Sequence, residues 1–80
     1  MRYQVTTKLS SQEALTQAKH YFGTRGVGLD IVDEQETCVT LAGGGGHVSV
    51  LACAGENSTT LELETREWDY AVRQFMRAVV

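Results

Sequence analysis

Four consecutive glycines, Gly43 to Gly46, stand between two stretches in which every second residue is apolar or β-branched. Thr37, Val39 and Leu41 alternate with Cys38, Thr40 and Ala42 on one side; Val48, Val50 and Ala52 alternate with His47, Ser49, Leu51 and Cys53 on the other. A period of two sends successive side chains to opposite faces of a strand, so a glycine connection between two such runs predicts an antiparallel hairpin. The register of that hairpin follows from its faces. Keeping Val39 and Leu41 on the side of Val48 and Val50 requires opposed residue numbers with an odd sum, because a one-residue slip turns a strand over. A four-residue glycine loop opposes Ala42 to His47 and Cys38 to Leu51. A tight Gly45-Gly46 turn opposes Cys38 to Cys53, and glycine's tolerance of positive φ favours the tight turn.

The same alternation recurs three more times, at Tyr3, Val5, Thr7 and Leu9, at Val27, Leu29 and Ile31, and at Thr59, Leu61, Leu63 and Thr65. Two segments change period. Ser10 precedes Glu13 by three residues, which predicts a capping box with Leu9 as staple, and Ala14, Leu15, Ala18, Tyr21 and Phe22 then recur on one helical face up to a left-handed stop at Gly23. From Arg66 to Val80, Trp68, Ala71, Val72, Phe75 and Val79 form a second helical face with Thr65 as N-cap. Glu67 and Asp69 near its start and Arg77 near its end suit the helix dipole. Asp33 to Glu36 and Gly55 to Asn57 read as turns.

The expected fold is therefore a single α+β domain over residues 1–80, in the order strand, helix, four strands, helix. Short connections make the last four strands an antiparallel meander. Placing the first strand beside the fifth sets Arg2 and Lys8 against Glu62 and Glu64, which predicts the sheet order 1-5-4-3-2. Both helices would cover the face bearing Val5, Leu29, Ile31, Val39, Leu41, Val48, Val50, Leu61 and Leu63. This order of elements resembles a much shortened helix-grip arrangement, in which a curved antiparallel sheet wraps a C-terminal helix. The resemblance is one of element order and carries no function; the alternative function is a small apolar-ligand binder of helix-grip type, using space between Trp68, Phe75 and the sheet.

Composition narrows the functional classes. Leu, Ile, Val and Phe supply 19 of 80 residues, above the floor of about 20% typical of disordered chains. A formal charge of −3 has the wrong sign for binding nucleic acid by counterion release. Met1 to Gln4 begin no apolar leader, and no run approaches the ~18 apolar residues of a membrane span, so a cytoplasmic protein is expected. Cys38 and Cys53 lack the spacing of a zinc or redox motif and are expected as reduced thiols, with no cofactor. The glycine-rich stretch from Gly23 to Gly28 leads from a helix into a strand, the reverse of a phosphate-binding fingerprint. Cys38, His47, His20 and Asp30 are the residue types of a thiol nucleophile and its base, but no spacing brings them together, and catalysis is not expected.

Two surfaces remain. Arg66, Tyr70, Arg73 and Arg77 recur at helical steps opposite the apolar face and form a candidate anion-binding stripe, with Asp69 placed to pair with Arg73. The outward residues of the central hairpin, Cys38, Thr40, Ala42, His47, Ser49, Leu51 and Cys53, include no Asp, Glu, Lys or Arg, while Arg2, Lys8, Asp30, Glu62 and Glu64 flank them. An uncharged centre within a charged rim is the anatomy of an interface. The leading expectation is a non-catalytic interaction module, a homodimer joined through Cys38, Thr40, Ala42, Ser49, Leu51 and Cys53.

Overall fold

A computed structural model describes residues 1–80. The elements are β1 (Arg2–Thr7), α1 (Ser11–Phe22), β2 (Asp30–Glu34), β3 (Cys38–Gly43), β4 (Gly46–Ala54), β5 (Thr59–Arg66) and α2 (Asp69–Val79). They form one five-stranded sheet in the order β1-β5-β4-β3-β2, with every neighbouring pair antiparallel, as the alternation and the charge argument predict. Arg2 does stand opposite Glu64. Lys8 lies beyond the paired residues, so that part of the charge argument contributes nothing to the register.

Both helices pack on one face of the sheet. Ala14, Leu15, Ala18 and Phe22 of α1 and Val72, Phe75 and Val79 of α2 are buried against Val39, Leu41, Val48, Val50, Ala52, Leu61 and Leu63. Tyr21, Phe22 and Phe75 meet between the helices with ring centroids 5.1 to 5.6 Å apart and tilted planes, the arrangement that ring quadrupoles prefer. The capping box forms as expected: Ser10 Oγ accepts from the Glu13 amide at 3.1 Å, and Glu13 Oε1 accepts from the Ser10 amide at 3.0 Å.

The connections differ from the expectations at four places. Gly23 caps α1 with φ −78° rather than in the left-handed region. A Cβ there would lie 2.3 Å from the Lys19 carbonyl oxygen, so close approach requires the glycine. The chain then winds back over the helix end: the amides of Gly26 and Gly28 donate to the Gly23 carbonyl, that of Val27 to Tyr21 and that of Leu29 to Phe22. These bonds hold Val27 and Gly28 out of the sheet, and β2 starts only at Asp30. A bulge at Val32 follows, and all of β2 is exposed, with Ile31 46% exposed rather than in the core. α1 reaches this edge only through the exposed ion pair of Lys19 with Glu34 and does not cover it with apolar side chains.

At the other end, β5 runs on to Arg66, which pairs with His47. Thr65 is therefore no N-cap. It is buried in the strand, its hydroxyl donating to the His47 carbonyl at 2.8 Å. Glu67, with φ +77°, turns the chain into α2. Asp69 accepts from the Tyr3 hydroxyl instead of pairing with Arg73. The central hairpin takes the register with Ala42 opposite His47 and Cys38 opposite Leu51, which overturns the Cys38-to-Cys53 pairing. Its turn is tight after all, but centred on Gly44 and Gly45, at φ +60° and +82°, with Gly43 and Gly46 paired. Trp68 accounts for this choice: its indole N–H donates to the Gly43 carbonyl at 3.0 Å, and its ring lies against Gly44.

Candidate functional site

With both helices on one side, the opposite face of the sheet is open, and the strand registers arrange its side chains in rows. Asp30, Ala42, His47 and Arg66 form the first row, and Asp33, Thr40, Ser49, Glu64 and Arg2 the second. Cys38, Leu51, Glu62 and Gln4 form the third, and Cys53, Thr60 and Thr6 the fourth. Every residue expected at the interface lies on this face. Cys38, Thr40, Ala42 and Ser49 are half-buried, whereas Leu51, at 39%, and Cys53 are exposed. The shifted register keeps both thiols on the open face, since it moves the partner strand by two residues and not by one.

The centre is held by side-chain hydrogen bonds. Thr40 and Ser49 share one between their hydroxyls at 3.0 Å, and His47 Nε2 lies 2.8 Å from Glu64 Oε1. The hydrogen bond from His47 holds the Glu64 carboxyl below the usual carboxylate range against some desolvation, with further help from the charges of His47, the amino terminus and Arg2. A trough of about 570 Å³ opens along the face, lined among others by Arg2, Gln4, Cys38, Thr40, Ser49 and Leu51. Small hydroxyl and thiol side chains at its floor, beside the longer Arg2, Leu51 and Glu62, account for the depression.

The two edge strands of the face carry opposite charges. At the β2 edge the row ends are Asp30 and Asp33; at the other edge β1 carries Arg2, with Arg66, Glu64 and Glu62 beside it on β5. The two ion pairs of the chain are Lys19–Glu34, on the helix side, and His47–Glu64. Arg2 has no ion-pair partner within the chain, and Asp33 accepts only an exposed hydrogen bond from Gln35. The His47–Glu64 pair is the feature sequence reasoning missed. Extending the same-face rule across the Gly55 turn to β5 brings these two side chains within one row of each other.

The other candidates do not assemble. Arg66 projects from β5 on the open face beside His47, whereas Tyr70, Arg73 and Arg77 lie exposed on α2, so the four do not form one stripe. Cys38 stands two rows from His47, roughly 13 Å along the strands, and His20 is on α1 behind the sheet. No thiol–imidazole pair results. No group of three or more His, Cys, Asp and Glu side chains is placed to hold a metal ion. The amides of the Gly23–Gly28 loop are consumed by helix-end carbonyls rather than presented to an anion. No helix is long and apolar enough to cross a membrane. No protein-family model matches the chain, and no curated protein matches it in sequence.

Proposed function

We propose that this domain is a non-catalytic interaction module that associates with a second copy of itself through the open face of its sheet. The observation that carries this reading is a sheet covered by helices on one side only, whose uncovered side has an uncharged centre around Leu51, Thr40 and Ser49. Five strands about 4.8 Å apart and four rows about 6.8 Å apart give a footprint of roughly 500 Å² on each copy. That is near the lower limit of about 1,000 Å² in total for a specific interface, the size class of a transient dimer rather than an obligate one. Sedimentation equilibrium from micromolar to millimolar protein tests it. A monomer–dimer equilibrium is expected, and Leu51→Glu, at an exposed position, should return the protein to monomer with an unchanged circular dichroism spectrum. A strict monomer up to millimolar concentration removes the reading.

A small-ligand binder is the second reading, and the trough on the open face favours it there rather than behind the sheet. Phe22, Leu41, Leu61, Leu63, Val72 and Phe75, each at most 1% exposed, fill the space between helices and strands that a helix-grip ligand would occupy. Thermal-shift screening of small polar and aromatic compounds on the monomer separates the two: a hit lost on Leu51→Glu supports the ligand.

A further inference from the structure

The opposite charges on the two edge strands of the open face select one geometry for the association. This inference rests on the reading above and goes beyond it. Two identical sheet faces related by a two-fold axis can stack with that axis parallel to the strands or across them. With the axis across the strands, β2 lies over β2 and β1 over β1 in reversed row order, so the acidic edge of one copy, with Asp30 and Asp33, faces the acidic edge of the other, and Arg2 faces a strand whose open-face residues include no acid. With the axis along the strands over β4, the central strand, β2 of one copy lies over β1 of the other. Asp33 and Arg2 occupy the same row at opposite edges. They therefore come together twice, once on each side of the axis. Shifting the axis to lie between β3 and β4 brings Asp33 over Glu64 instead, a like-charge pair.

We infer that two copies stack with their two-fold axis along β4, so that Asp33 of each copy stands over Arg2 of the other while Leu51 and Cys53 face their own counterparts. The arrangement gives Arg2 and Asp33, neither of which has an ion-pair partner within the chain, an opposite charge across the interface, and it buries the largest exposed apolar side chain of the face on the axis. It also makes the two cysteines unequal. Cys53 is exposed on β4 and meets its copy across the axis, whereas Cys38 on β3 is held roughly 14 Å from its own, given sheets about 10 Å apart. The axis across the strands, passing between Ser49 and Leu51, reverses the order. It separates the two Cys53 residues by about 23 Å and brings the two Cys38 residues to within about 12 Å.

Crosslinking of the protein above its dimerisation midpoint with a short bis-maleimide, which spans the gap of about 10 Å between stacked sheets that a disulfide cannot, distinguishes the two on a denaturing gel. The wild type and Cys38→Ser should give covalent dimers, and Cys53→Ser should not. Arg2→Glu and Asp33→Arg should each raise the dimer Kd about tenfold, since each reversal acts twice across the axis, and the double reversal should recover most of the loss. A reversible dimer that crosslinks through Cys38, with no recovery in the double reversal, overturns the axis along β4 and leaves self-association standing. Absence of any dimer overturns both.

Discussion

Replacing Gly44 with asparagine is the change that hairpin statistics would recommend, because the first central residue of a type I′ turn has φ near +60° and asparagine adopts it readily. This structure argues the opposite. Gly44 has φ +60°, but a Cβ built on it lies 2.8 Å from Cζ2 of Trp68 and 3.5 Å from Cη2. The ring cannot retreat without giving up its hydrogen bond to the Gly43 carbonyl. Losing that bond costs about 1 kcal/mol, and forcing a side chain into an occupied site costs about 1–3 kcal/mol. The restricted unfolded chain returns only about 0.4–1 kcal/mol. The net is a loss of about 2 kcal/mol, which lowers Tm by about 8–16 °C in a domain of this size. Trp68 is the single tryptophan, so urea titration followed by its fluorescence reads both the stability and the displaced ring. Gly45→Asn is the control, at φ +82° with nothing within 4 Å of the added Cβ, and should cost less than about 1 kcal/mol. Gly44→Asn as stable as Gly45→Asn would refute the role assigned to Trp68.

Ser10→Ala removes the hydroxyl that accepts from the Glu13 amide, leaving the bond from the backbone amide of residue 10 to Glu13 Oε1, and should cost about 1 kcal/mol by denaturant titration. The Ser10 amide first, and its hydroxyl second, hold the Glu13 carboxyl low, so its stabilising effect is present above the ordinary carboxylate pKa and fades as pH falls through the lowered value. In Ser10→Ala the carboxyl should titrate at higher pH by NMR but stay below its ordinary value, because the amide remains. His47→Ala should likewise return the Glu64 carboxyl toward its ordinary value, and an unmoved Glu64 resonance would contradict the pair. Thr7, buried, donates to the Val79 carbonyl at the end of α2 and accepts from the Leu9 amide. Thr7→Val should cost about 1–2 kcal/mol and speed amide exchange in the last turn of α2. Glu67→Gly relieves a left-handed backbone at the entry to α2 and should raise stability by about 0.5 kcal/mol, measured by the urea midpoint.

The strand faces were legible because alternation is a property of adjacent residues. Val39, Leu41, Val48, Val50, Leu61 and Leu63 announce their side locally, and the sheet order followed from short connections and opposite charges. What escaped was decided at a distance. The position of the hairpin turn depends on Trp68, more than twenty residues further along the chain. The late start of β2 depends on the carbonyls at the end of α1, and the apolar residues of Val27, Leu29 and Ile31 carry no mark of that competition. The helical spacing of Arg66, Tyr70, Arg73 and Arg77 was real arithmetic applied across a boundary, because β5 pairs with β4 as far as Arg66 and the helix begins only at Asp69. On the open face, the uncharged centre could be read from residue types alone. The His47–Glu64 pair needed the β4–β5 register.

The edge position of β1 has a consequence for how the chain acquires this fold. Four strands of the sheet form a meander whose hairpins each close over a few residues, so β2 to β5 can zip in sequence with little loop entropy to overcome. The first strand belongs to the same sheet but must wait for the last one: the amino group of Met1 bonds a carbonyl 64 residues away, and Thr7 bonds one 72 residues away. On a translating ribosome, α1 can dock once the β3–β4 hairpin against which it packs has emerged, but β1 has no partner until β5 follows. During that interval Tyr3 and Val5, which pack on the core in the folded sheet, are in water. The slow, non-local step of folding is thus the docking of β1 onto β5, and that interval is when the unfinished sheet is most exposed to aggregation.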